Sequence, residues 1–234
     1  MPADLQALKE KLALACRVLA MEGQGDYIWG HVTVRTPDNP ERFLMKPHLH
    51  GLSDITADDI ITVDIDGNKV EGKHKRHGEV FIHTEVMRAR PDVHCVVHTH
   101  PPDCVVFGSL GKKLQPIGHY GALFCEALPV FSQTSDLITT SPLGRAVAAE
   151  LGDKHVLLLR NHGIVATGDY IEVAIMRALM LDIACGMQLK AEWAGGAKYV
   201  SAPADWMSKQ NNLLKRDHVE AAFAHLVRKL PPLR

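Results

Sequence analysis

Residues 94 to 102 read HCVVHTHPP, an apolar run that carries His98 and His100 with one residue between them. In an extended strand, side chains at i and i+2 project from one face about 6 to 7 Å apart, so two imidazoles placed this way can converge on one metal ion. Pro101 and Pro102 follow, and proline cannot continue a central strand ladder. The pair is therefore predicted at a strand's carboxyl end, where open α/β folds place their sites. Glu79 in RHGEVFIH and His162 in RNHGIV can complete the group. Imidazoles with a carboxylate suit zinc, manganese, iron or cobalt, and three histidines leave positions open for carboxylate, water or substrate. That is a catalytic kind of site.

Each residue alone has a plainer account. His162, between Asn161 and Gly163, reads as a histidine beside a tight turn. His94 shares the parity of His98 and His100 but lies at the strand's other end, after Pro91 and Asp92, which makes it structural or solvent-exposed. His74 and His77 fall in KHKRHGE, a charged loop of the kind that forms a solvated hairpin end, and only adjacency to Glu79 raises His77 above that. Two other families with His-x-His fail on spacing. A cupin needs a Glu shortly after the pair, which PPDCVVFGSL lacks, and an amidohydrolase places the pair on the first strand of a longer barrel.

The elements that must position these residues can be read from periodicity. Leu5, Leu8, Leu12, Cys16 and Leu19 are at helical spacing, predicting an amphipathic helix from Asp4 to about Met21 with Gly23 as its C-cap. HVTVR, RFLMKP and IITVDIDGNKVEG read as short antiparallel strands, with Asp66-Gly67 as a hairpin turn. EVFIHTEVMRAR reads as a helix ending before Pro91, and HCVVHTH as a strand. Then come a helix over PPDCVVFGSLG, a loop containing HYGAL, a strand LPVF, a helix over SPLGRAVAAELGD and a strand HVLLLRNHGIVATG. Asp169 with Glu172 resembles a capping box opening a long helix from Tyr170 to about Trp193, and a helical tail with Trp206 follows from about 194. The pattern gives an α/β or α+β architecture, a mixed sheet covered by helices on both faces. Its 234 residues are expected to form one domain, 1–234, without internal repeats.

Composition narrows the function class. With 46% apolar residues, 23% charged and a net charge of -1, there is no nucleic-acid footprint, and the expected partner is a small molecule. Charges at Asp4, Lys9, Glu10 and Lys11 interrupt the first apolar segment, which excludes a signal core or membrane span and points to the cytoplasm. Five cysteines without a Cys-x-x-Cys pair read as reduced, mostly buried fillers. Fourteen histidines are many, and they concentrate between His74 and His119.

Taken in order, Glu79, His-x-His, HYGAL and NHG resemble the class II aldolase/adducin family, which includes L-fuculose-phosphate aldolase. The resemblance runs from the first helix to about Trp193, and the ordered set is far more specific than any single motif. It implies a central, mainly antiparallel sheet between helical layers and a homotetramer with sites at subunit boundaries. It also implies that His98, His100 and His162 bind the metal and that Glu79 is the catalytic acid residue that also reaches it. Tyr120 becomes a proton donor acting across a subunit boundary. One divalent ion per subunit is implied, manganese first and zinc second.

Where the aldolases hold a substrate phosphate with Gly-Asn, Thr-Gly and Ser-Ser segments, this chain reads Gly30-His31, His48-Leu49 and His77-Gly78. Small donors that cradle phosphate are replaced by imidazoles. With WGHVTVR, FLMKPHLHGL and RHGEVFIHTE, this resembles the family's decarboxylase branch, which acts on hydroxylated aromatic dicarboxylates. The substrate implied first is 3-hydroxy-2-methylpyridine-4,5-dicarboxylate of vitamin B6 degradation, with 3,4-dihydroxyphthalate as the near alternative. His31, His48, Arg76 and His77 are candidates to bind a substrate carboxylate, and Glu79 or Tyr120 to protonate the ring carbon. Two other readings remain: a sugar-phosphate aldolase or dehydratase, disfavoured by the missing phosphate pocket, and a non-catalytic adducin-like module, disfavoured by the retained Glu79 and histidines.

Overall fold

The structure, a computed structural model, describes residues 3 to 233. Helix α1 (Ala3–Leu19) buries Leu12, Cys16 and Leu19 completely, as their spacing requires. It widens into a looser turn over Ala20–Gln24, where Gly23 at φ 88° breaks the helix. A left-handed φ of this kind costs glycine nothing. An antiparallel meander follows: β1 (His31–Arg35), β2 (Arg42–Met45), β3 (Ile61–Asp64) and β4 (Lys69–Glu71), the last two joined through Asp66 and Gly67. Helix α2 (Val80–Ala89) leads to β5 (Cys95–Thr99) and then α3 (Pro102–Ser109).

HYGAL, expected in a loop, lies instead in helix α4 (Gly118–Phe124), which packs on the later helices. An interior Gly121 costs a helix about 1 kcal/mol. Burying Phe124 contributes about 1.5–3 kcal/mol, so packing outweighs propensity at a site too short to show periodicity. After β6 (Val130–Phe131) and α5 (Ser141–Leu151), HVLLLRNHGIVATG forms two strands rather than one. These are β7 (Val156–Leu159) and β8 (Gly163–Gly168), paired antiparallel across a turn in which Asn161 takes φ 55°. The expected capping box is absent. Helix α6 (Ile171–Trp193) starts from extended Tyr170 with no side-chain cap, and the Glu172 carboxylate accepts a hydrogen bond from Lys11 Nζ at 2.8 Å, tying α6 to α1. The tail holds α7 (Pro203–Leu213) and α8 (Arg216–Lys229).

Among the described residues eight strands form one sheet in the order β4-β3-β2-β1-β5-β8-β7-β6, antiparallel except for the parallel pair β6–β7. Strand β5 shows how the two faces are filled. Cys95 and Val97 join Leu12, Cys16, Ile175 and Leu181 under α1 and α6, while Val96 joins Ile82, Val86 and Val147 under α2 and α5. His98 has the parity of Val96, so it faces the α2 side. All five cysteines are free, and only Cys125 is not fully buried. No described helix is long and apolar enough to cross a membrane.

Candidate metal centre

Antiparallel pairing brings three chain segments to one edge of the sheet. His98 lies near the end of β5, opposite His31 at the start of β1. His100 lies just past β5, and His162 lies in the turn that opens β8, the strand paired to β5 on its other side. Glu79 is the residue from which α2 springs, on the same face. One ligand atom from each of Glu79, His98, His100 and His162 falls within 4.8 Å of all the others. His98 Nε2 is 3.1 Å from His100 Nε2 and 3.8 Å from Glu79 Oε2, and His162 Nε2 is 3.4 Å from Glu79 Oε1. The four residues expected from the sequence are therefore assembled.

Hydrogen bonds on the outer side of the rings decide which nitrogens face inward. His98 Nδ1–H donates to the Ile164 carbonyl at 2.9 Å, and His100 Nδ1–H donates to Asp26 at 3.2 Å. Both Nε2 atoms then present lone pairs to each other, an arrangement that repels unless a cation sits between them. His162 Nε2 is buried with no hydrogen-bond partner among the described residues. Two nitrogens bound to one ion at about 2.1 Å and near 90–110° lie roughly 3.0–3.4 Å apart, which the observed pair satisfies. The residues present thus fit one divalent metal, with Asp26 and the Ile164 carbonyl orienting the ligands from outside. Protons do not compete for these nitrogens. Burial pushes His162 down to about 4, helped by His100, and holds His98 well below the usual imidazole range. Burial also lowers His100, although Asp26 opposes it. The Glu79 carboxyl moves the other way: burial raises it against the Ile138 N–H that donates to Oε1 at 2.9 Å, and the Asp136 charge adds to the rise.

Beside the metal group lies a second set of imidazoles. His31 Nδ1 is 2.6 Å from His83 Nε2, His83 Nδ1 is 2.7 Å from Thr33 Oγ1, and that hydroxyl faces the Val96 carbonyl. Read from the carbonyl outward, each donor along the chain is used in turn, which leaves His31 Nε2 as an unprotonated acceptor 3.9 Å from Glu79 Oε2. Burial lowers His83 to about 3, so it stays neutral. Sequence reading missed His83, yet it stands four residues after Glu79 on α2 and therefore on the same helix face.

The other expected binding residues divide. His77 packs 4.4 Å from the His31 ring and His48 lies edge-on to His77 at 5.2 Å, so both join the imidazole wall. His77 Nε2–H donates to the Pro47 carbonyl, and burial together with the Lys46 ammonium 3.3 Å away pushes it to about 2. It is a neutral wall residue and not a cation for a carboxylate. Lys46, also missed, is fully buried and donates to the Ile28 carbonyl. Arg76 is not brought to the group: it donates to the His77 carbonyl and lies over the Phe81 ring at 5.7 Å. Tyr120 packs partly buried against the α6 core, and among the described residues no hydrogen bond joins it to Glu79 or the histidines of its own chain. His94 is exposed.

Gly163 explains the NHG spacing. A Cβ there would press into the Thr99 carbonyl oxygen and come within 2.8 Å of His100 Cδ2. Gly163→Ala is therefore expected to displace His100 and weaken metal binding by about 10- to 100-fold, the cost usual for disturbing ligand support. Metal titration checks this, and an unchanged affinity contradicts it.

Residues 10–189 match the Class II Aldolase and Adducin N-terminal domain. The chain belongs to the class II aldolase and adducin family. A 3,4-dihydroxyphthalate decarboxylase of Arthrobacter keyseri is 36% identical over 200 residues, covering 81% of this chain and 80% of that one. A 4-hydroxy-3-prenylphenylpyruvate oxygenase/4-hydroxy-3-prenylbenzoate synthase of Streptomyces roseochromogenus is 35% identical, covering 83% and 72%. Among solved structures, an L-fuculose 1-phosphate aldolase from Glaciozyma antarctica superposes with a TM-score of 0.86 at 26% identity, covering 97% of this chain and 90% of that one. Decarboxylases and aldolases are both carbon–carbon lyases, and this member of the class II aldolase and adducin family is an enzyme of that class.

Proposed function

We propose that the chain is a divalent-metal-dependent decarboxylase of a hydroxylated aromatic dicarboxylate, working as a cytoplasmic homotetramer. The observation that carries this reading is the imidazole wall beside the metal group, with the His31 ring 4.9 Å from His98 and 4.4 Å from His77. Such a wall offers flat faces and ring nitrogens to an aromatic acid, and no cradle of small donors to a phosphate. The decarboxylase from A. keyseri supports the same reading. Two substrates fit it, 3-hydroxy-2-methylpyridine-4,5-dicarboxylate and 3,4-dihydroxyphthalate, and in both a carboxylate stands ortho to a hydroxyl. The name of that relative favours the second.

His98, His100 and His162 with Glu79 would hold the ion, manganese first and zinc second for a site that leaves room for oxygen ligands. When bound, it supplies Lewis-acid stabilisation of negative charge on a substrate oxygen. The chain's own residues do the rest. His31 Nε2 accepts the proton of a substrate hydroxyl in a hydrogen bond, and His77 and His48 flank the ring. Glu79, whose raised carboxyl can hold a proton, gives it to the ring carbon that bears the carboxylate, forming the new C–H bond as the ortho hydroxyl passes its proton to His31 and becomes a ring carbonyl. The bond to the carboxylate then breaks, CO2 leaves, and the electron pair enters the ring and returns to the ortho oxygen, restoring aromaticity. Tyr120 of a neighbouring subunit is the other candidate donor. The nearly bare side chains of Trp193 and Tyr199, 90% and 92% exposed, support an assembly that covers them.

Competition tests the anchor. Inorganic phosphate is expected to inhibit turnover poorly, whereas salicylate, an aromatic ortho-hydroxy carboxylate, competes well. Strong inhibition by phosphate with no effect of salicylate would return the chain to sugar-phosphate chemistry.

A further inference from the structure

A second group of ligand atoms lies apart from the metal centre. His50, Asp59 and His74 each place one nitrogen or carboxylate oxygen within 4.8 Å of the other two. His50 stands in the segment after β2, Asp59 just before β3, and His74 between β4 and Glu79. From sequence, His74 belonged to a solvated loop. In the structure it is 30% exposed, with Nε2 3.3 Å from Asp59 Oδ1. An ion pair between these two accounts for that contact but leaves His50 unexplained, its ring 4.1 Å from the His74 ring.

The outer hydrogen bonds of this group resemble those around a metal. His50 Nδ1–H donates to the His48 carbonyl at 3.0 Å, which leaves Nε2 unprotonated. Asp59 Oδ2 accepts from the Thr56 N–H at 2.9 Å and its hydroxyl at 2.6 Å, which turns Oδ1 toward His74. Partners of this kind fix the tautomer and orientation of metal ligands. Two imidazoles and one carboxylate, with a fourth position open to water, form a zinc donor set. We propose that His50, Asp59 and His74 form a second divalent-cation site, which takes Zn2+. It clamps the segment after β2 to the segment that leads into His77 and Glu79. The His48 N–H, which donates to the Lys75 carbonyl at 2.8 Å, joins the same two segments. The site is structural, and none of its three ligands touches the metal group of the active centre.

The test is metal analysis of full-length protein after loading with Zn2+ and removal of free ion. Wild type is expected to keep two ions per chain, His74→Ala one, His100→Ala one, and the double variant none. Asp59→Asn, which preserves shape, is expected to weaken the second ion at least about tenfold. Co2+ substitution in the His100→Ala background reads the same site through its visible absorption, independent of activity. One ion per chain in wild type, or a second ion that survives both His74→Ala and Asp59→Asn, overturns the proposal.

Discussion

His100→Ala removes the bound metal and lowers turnover by on the order of 10³ or more while the fold remains. A Lewis-acidic ion supplies several kcal/mol of charge stabilisation, and each 1.36 kcal/mol is a factor of ten. His100 is the informative position because its side chain is 17% exposed and lies beyond the last residue of β5, outside both apolar clusters. His98 is fully buried and hydrogen-bonded to β8, so its removal would mix lost metal with lost packing. Metal content, turnover and thermal unfolding of the His100→Ala protein check the three parts separately. Full occupancy with unchanged turnover contradicts the assignment of the site.

If Tyr120 rather than Glu79 donates the proton in the rate-limiting step, Tyr120→Phe lowers turnover by on the order of 10² or more with metal content unchanged. Within one chain Tyr120 packs partly buried on the core under α6, and the proposed role puts its hydroxyl at the site of a neighbouring subunit. Mixing inactive Tyr120→Phe chains with inactive His100→Ala chains should then restore activity, because one boundary of the hybrid pairs an intact metal site with an intact tyrosine. Absence of recovery despite demonstrated subunit exchange would make Tyr120 a packing residue.

Legibility from sequence followed the range of the interactions involved. His-x-His before two prolines states a strand end and a shared face, both local facts, and the structure places His98 and His100 there. The meander from His31 to Glu71 was legible for the same reason: alternation and the Asp66-Gly67 turn act over a few residues. Helix α4 was hidden because its two glycines argue against a helix, and only contact with α6 and α7 stabilises it. The capping box at Asp169 and Glu172 failed because Lys11, 161 residues away, takes the carboxylate. His83 and Lys46 carried no motif. Their roles depend on which strand edges meet, which pairing of β1 with β5 decides. The rule that places sites at strand carboxyl ends also worked for a different reason here. In this antiparallel sheet the end of β5 coincides with the starts of β1 and β8, so one edge collects ligands from three segments.

The most direct measurement is product analysis with Mn2+-loaded protein, run aerobically and under strict exclusion of oxygen. The panel contains 3-hydroxy-2-methylpyridine-4,5-dicarboxylate, 3,4-dihydroxyphthalate and L-fuculose 1-phosphate. One CO2 per aromatic dicarboxylate consumed, at equal rates with and without oxygen and with a ring C–H in the product, is the expected result. Aldehyde release from the sugar phosphate without CO2 from either aromatic acid would contradict it, as would CO2 release that stops when oxygen is removed.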